Sequence, residues 1–96
     1  MIYLDNSATT APCPQAIDAM TRAMTEQWGN PSALYQFGFE AAHQLRTARA
    51  KVANALGAEV DRVFFTSGGT EADNWAIFSS VKRLGKRGKH LITTSI

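Results

Sequence analysis

Apolar residues recur along this chain with a helical period in three stretches and with a strand-like period in two. Ile17, Met20, Met24 and Trp28 follow one another at spacings of three, four and four, which sets them on one face of a helix. Pro14 suits the first turn of that helix, which should end near Trp28, before Gly29. Gly29, Asn30 and Pro31 form a turn, and the Ser32 hydroxyl is placed to cap the next helix. In that second helix Leu34, Ala41, Leu45, Ala48, Val52 and Leu56 make one stripe, with Glu40, Gln44, Arg46, Arg49 and Lys51 mainly elsewhere. Gly57 supplies a left-handed stop, and the helix-weakening Gly38 places the start after itself.

Beyond Gly57 the pattern changes. Val63, Phe64 and Phe65 form an unbroken apolar run within 62–66, as in a strand buried on both faces of a parallel sheet. Ser67, Gly68 and Gly69 break it, and from Thr70 an amphipathic helix carries Trp75, Phe78 and Val81 toward Leu84, ended by Gly85 and Gly88. Residues 90–94 read as another strand, and 2–4 as at most an edge strand ahead of a polar loop over 5–10. A strand-helix-strand unit crosses over right-handedly, and its sheet needs further strands and helices on both faces. The expectation is an α/β fragment: residues 1–57 a loop and two helices, 58–96 a strand-helix-strand unit, with the loop after the last strand missing.

A chain of 96 residues buries only about 60 to 65 per cent of the surface its unfolded form exposes, so a small core is expected. Hydrophobic residues at 45% and charged residues at 19% describe a globular protein, not a disordered tail. Cys13 stands alone, which excludes an internal disulfide, and neither His43 nor His90 completes a metal-site spacing with it. With no signal peptide or membrane span at the N-terminus, the reading is cytoplasmic, with no membrane partner. The net charge of +2 owes much to Lys82, Arg83, Lys86, Arg87 and Lys89. These fit a solvated helix end better than a nucleic-acid surface, because no aromatic residue interleaves with them.

The chemistry concentrates at 66–74. At the carboxyl end of a strand, Ser67, Gly68 and Gly69 let backbone approach a ligand closely. The first amides of the following helix lack internal partners and carry the positive end of its dipole, so a phosphate gains hydrogen bonds and a favourable field there. The Thr70 hydroxyl adds another donor. A plainer alternative has Thr70 capping the helix, with Asp73 three residues on completing a weak capping box. The run is neither a Walker loop nor a dinucleotide fingerprint.

The run Phe64-Phe65-Thr66-Ser67-Gly68-Gly69-Thr70-Glu71-Ala72-Asp73-Asn74, with Tyr3-Leu4-Asp5-Asn6-Ser7-Ala8-Thr9-Thr10 and Gly29-Asn30-Pro31-Ser32, resembles the N-terminal part of the cysteine desulfurases. Ala48-Arg49, Val52-Ala53 and Gly88-Lys89-His90 extend the likeness over the whole chain in order. The resemblance implies part of a fold-type-I, pyridoxal 5'-phosphate-dependent transferase large domain, with helices around the start of a mainly parallel sheet. It implies a homodimer that takes sulfur from L-cysteine, leaves alanine, and passes the sulfur to an acceptor protein for iron-sulfur cluster or thio-cofactor supply. It places the cofactor phosphate at Gly69 and Thr70. The family's Schiff-base lysine, ring-facing aspartate, stacking histidine and sulfur-receiving cysteine lie beyond Ile96, and Cys13 does not match that cysteine. Where many members carry a histidine shortly after Asn-Pro-Ser, this chain has Tyr35.

Two alternatives stand beside that reading: a selenocysteine lyase or aminotransferase of the same group, and a truncated, non-catalytic interaction module. A partial sheet with an unpaired edge also predicts poor solubility or oligomers for the chain by itself.

Overall fold

The computed structural model describes residues 1–95. Three α-helices and one short 3-10 turn are the regular elements among them: α1 (Pro14–Thr25), α2 (Gln36–Leu56), the turn Val60–Arg62, and α3 (Gly69–Leu84). The chain divides into two compact units, one running from Met1 to Arg62 and the other beginning at Val63.

In the first unit, Tyr3 ties the polar loop together: its hydroxyl donates to the carbonyls of Asp5 (2.7 Å) and Thr9 (3.1 Å). Helix α1 opens with Pro14 at its first turn, as expected, but stops at Thr25, and the amides of Glu26 and Gln27 both return to the Arg22 carbonyl. Trp28 therefore lies beyond the helix, where its ring meets Phe37 edge-on at a centroid distance of 5.0 Å. That aromatic contact holds the turn onto α2.

Ser32 does not cap α2. Its amide donates to the Asn30 side chain at 2.9 Å, so Asn30 closes the turn, and Tyr35 occupies the N-cap position without a side-chain cap. Helix α2 starts at Gln36 and takes Gly38 into its first turns, contrary to the expectation of a start after Gly38. The reason is steric. Gly38 is buried, and a Cβ built there would overlap the backbone carbonyl of Ala33. Gly57 ends the helix as expected, in a left-handed conformation with φ 62°, and the Ala58 amide reaches back to the Ala53 carbonyl at 2.9 Å.

The face α2 buries is not the expected stripe. Ala53, 1% exposed, is the one buried apolar side chain among the described residues, while Leu45, Val52 and Leu56 remain exposed. Ala53 lies where the helix end folds onto the turn Val60–Arg62, itself fastened by an exposed Arg62–Glu59 ion pair at 3.0 Å.

In the second unit the expected strands at 62–66 and 90–94 do not form, nor does the edge strand at 2–4 in the first unit: no residue among those described is in a β-strand. Strand geometry is stabilised by neighbours, and a parallel sheet of two short segments has neither further strands nor two-sided helical cover. The mainly parallel sheet is therefore not part of this structure. Instead Phe64 packs its ring on Trp75 of α3, with centroids 5.3 Å apart and planes inclined at 57°. Ile96, the last residue of the expected 58–96 unit, lies outside the described residues.

Candidate functional site at the start of helix α3

The turn between the apolar run and α3 is built by its own side chains. Gly68 occupies the N-cap position in an extended conformation, and the Ala72 amide donates to the Gly68 carbonyl at 3.1 Å, the first bond of the helix. Helix α3 thus starts at Gly69, and Thr70 is its second residue, not its cap. The Thr70–Asp73 capping box does not form. Glu71 takes that role: one carboxylate oxygen, Oε2, accepts from the Ser67 amide at 2.7 Å and the Ser67 hydroxyl at 2.6 Å. The Thr66 hydroxyl donates to the Gly68 carbonyl at 3.1 Å and restrains the other side of the bend.

These bonds hold the Glu71 carboxyl below its ordinary value of 4.5, the Ser67 hydroxyl contributing most and the Ser67 amide next. A lowered carboxyl stabilises the folded turn above the ordinary carboxylate range, and the stabilisation is lost as pH falls through the lowered value. The expected result is that the Ser67 amide resonance, followed by NMR on acidification, shifts with a midpoint below 4.5. A midpoint at or above that value contradicts the clasp.

Because Glu71 is engaged by Ser67, it does not turn back on its own helix. The amides of Gly69, Thr70 and Glu71 have no acceptor among the described residues, and neither does the Thr70 hydroxyl. The Thr70 carbonyl is occupied by the Asn74 side-chain amide at 2.8 Å. Three backbone N–H groups and one hydroxyl are thus left at the positive end of a helix 16 residues long.

Glycine at 68 and 69 is not required by the chain itself. A Cβ at either position would meet nothing within 4 Å, whereas one at Gly29 would press the Phe37 carbonyl at 2.6 Å. Packing accounts for Gly29; no packing within this chain accounts for Gly68 or Gly69. The space in front of the free amides is open, and a small oxyanion fits the donor set there.

The other residues singled out from the sequence do not join this turn. His43 lies on an exposed part of α2, where its carbonyl accepts from the Thr47 hydroxyl at 3.0 Å. His90 is exposed after α3, and Cys13 is an exposed free thiol at the N-cap of α1. Tyr35 is 62% exposed. The role of Glu71 was missed in the sequence because Asp73 drew the capping-box reading. The signal was present: Glu71 stands three residues after Gly68, the spacing from an N-cap at which a carboxylate reaches back. No helix among the described residues is long and apolar enough to cross a membrane.

Free amides at the start of a helix suit many phosphate-bearing ligands, and the whole sequence narrows the choice. The Aminotransferase class-V family matches residues 2–96, so the chain belongs to that family. Within it, the chain is similar to a cysteine desulfurase IscS of Methanosarcina thermophila, 50% identical over 95 residues that make up 99% of this chain and 24% of that protein. It is also similar to a cysteine desulfurase IscS of Clostridium botulinum, 46% identical over 95 residues, again 99% of this chain and 24% of the relative. A selenocysteine lyase of Xenopus laevis is 37% identical over 107 residues, 99% of this chain and 25% of that protein. The chain spans about a quarter of the length of these relatives. No solved structure matches it.

Proposed function

We propose that this chain contributes the cofactor-phosphate turn of a pyridoxal 5'-phosphate-dependent cysteine desulfurase and belongs to the N-terminal part of one fold-type-I transferase domain. The observation that carries the reading is the donor set at α3: three free amides, a free Thr70 hydroxyl and two glycines that the chain's own packing does not require. A phosphate monoester fits it, gaining charge-assisted hydrogen bonds that neutral ligands do not. The chain's membership of the class-V family and its similarity to cysteine desulfurases support pyridoxal phosphate as the owner of that phosphate.

In this reading Gly69 and Thr70 hold the phosphate and fix the cofactor's position, while Ser67 and Glu71 keep the turn in shape. When bound, pyridoxal phosphate supplies an electron sink for bond breaking at the amino-acid substrate. The substrate is L-cysteine, the products are alanine and sulfur bound to an acceptor protein, and the setting is a cytoplasmic homodimer. The titratable group at the turn, Glu71, is engaged by the Ser67 amide and hydroxyl and serves the turn's shape. Catalysis therefore falls to residues outside this chain, and the chain alone is inactive.

The test is a chimera in which this chain replaces the matching stretch of the Methanosarcina thermophila relative. With dithiothreitol present as the reductant that frees transferred sulfur, alanine and sulfide formed from cysteine at a rate within about tenfold of the parent supports the reading. A chimera that folds and retains pyridoxal phosphate but releases no sulfide from cysteine contradicts the desulfurase assignment. Selenide released from selenocysteine with none from cysteine favours the lyase, a relative of which shares 37% identity.

A further inference from the structure

The second unit carries a charge asymmetry that the phosphate turn does not use. Lys82, Arg83, Lys86, Arg87 and Lys89 fall within eight residues, and no aspartate or glutamate occurs anywhere from 74 to 96. All five cations are exposed. None of the five has a carboxylate partner among the described residues.

The end of α3 accounts for part of this cluster. Lys82 and Arg83 stand in the last helical turn, where cations complement the negative end of the dipole. Lys86, Arg87 and Lys89 lie past the helix, so the helix dipole does not account for them, and Lys86 and Arg87 each follow a like charge, Lys82 and Arg83, by four positions. The Arg87 amide nonetheless donates to the Leu84 carbonyl at 2.7 Å, which folds the segment back on the helix end. As a result Arg83 and Arg87 line one hollow together with Ser80 and Leu84. Two guanidinium groups and a hydroxyl thus surround an apolar side chain that is 47% exposed.

We propose that the end of α3 and the segment after it form a docking surface for an acidic segment of another protein. The guanidinium groups offer forked donors to carboxylates, and Leu84 offers an apolar contact between them. Charge complementarity selects the occupant. Nucleic acid is the less suited polyanion, because no aromatic residue follows Phe78 to stack on bases. The surface is independent of the phosphate turn and stands whether or not that turn binds a cofactor.

The test uses the full chain and a fluorescein-labelled peptide of alternating glutamate and leucine, followed by fluorescence anisotropy at ionic strength of ~0.15 M. Arg83→Glu with Arg87→Glu is expected to weaken binding by about tenfold or more, because it replaces attraction with repulsion at the hollow. Lys86→Glu with Lys89→Glu changes residues past the end of the helix and is expected to weaken binding in the same direction. Arg46→Glu with Lys51→Glu makes the same change in net charge on α2 and is expected to leave binding within about twofold. Equal loss from the α2 pair, no loss from either pair at 83–89, or no binding of the peptide overturns the proposal. Tighter binding of a labelled single-stranded oligonucleotide of equal charge also overturns it, in favour of a nucleic-acid surface.

Discussion

Gly38→Ala lowers the stability of the unit from Met1 to Arg62 by about 2 kcal/mol, although the same change in an ordinary helix interior raises it. Two effects oppose each other. Alanine gains about 1 kcal/mol over glycine in intrinsic helix preference. At position 38, however, the added methyl is directed at the backbone carbonyl of Ala33, with the carbonyl carbon and the Ala33 Cβ each 2.8 Å from the ideal Cβ. A backbone group cannot rotate aside as a side chain can. Overpacking of this kind costs about 1 to 3 kcal/mol, and the value belongs at the upper end where main chain must shift. Steric cost therefore exceeds propensity gain.

The measurement is a urea titration of the full chain followed by circular dichroism, with Gly88→Ala as control. A Cβ at Gly88 meets nothing within 4 Å and leaves the midpoint unchanged. A midpoint for Gly38→Ala equal to or above that of the parent chain removes the close approach of Ala33 as the reason for glycine at this position.

Gly38 also shows where sequence reasoning stops. Read along the chain, a glycine in a helical pattern lowers helix preference, and the pattern alone places the helix start beyond it. The reason for the glycine is a contact with Ala33, and no periodicity carries information about that contact. The same limit explains Ala53. Apolar spacing identified a stripe through Leu45, Val52 and Leu56, yet burial depends on where the chain turns back after Gly57, which puts Ala53 at the covered position.

The left-handed stop at Gly57 and the opening of α1 by Pro14 were legible because each follows from a residue's own backbone restriction. The strands were a different case. Val63, Phe64 and Phe65 have the composition of a buried strand, but a strand exists only with partners, and the described residues supply no sheet for it. Local preference was read correctly as apolar; the pairing a strand requires is not shown among the described residues. At the candidate site the sequence grouped the glycines with Thr70 at one helix start, and the structure places them there beside three free amides. The clasp between Ser67 and Glu71 was harder to read: the spacing of Glu71 from Gly68 is in the sequence, but which acidic residue reaches back depends on where the helix starts.

Thr70→Val in the chimera weakens retention of pyridoxal phosphate by roughly ten- to a hundredfold. The substitution keeps the shape of the side chain and removes only the hydroxyl, which has no partner among the described residues and is free for a ligand. A hydrogen bond to a charged group contributes about 1.5 to 3 kcal/mol, and that range converts to the stated change in affinity. Thr70→Ser restores the donor and is expected to restore retention, a recovery that a purely structural role for the methyl group does not give. Gly69→Ala separates ligand from fold in the opposite sense. Its Cβ meets nothing in the chain and it adds helix preference at the first turn, so thermal stability without cofactor is unchanged or higher. Cofactor retention nevertheless falls, because the methyl occupies the space a phosphate needs. If dialysis shows the cofactor held equally by the parent chimera, Thr70→Val and Gly69→Ala, then the open space at α3 is not where the phosphate lies, and the glycines need another explanation.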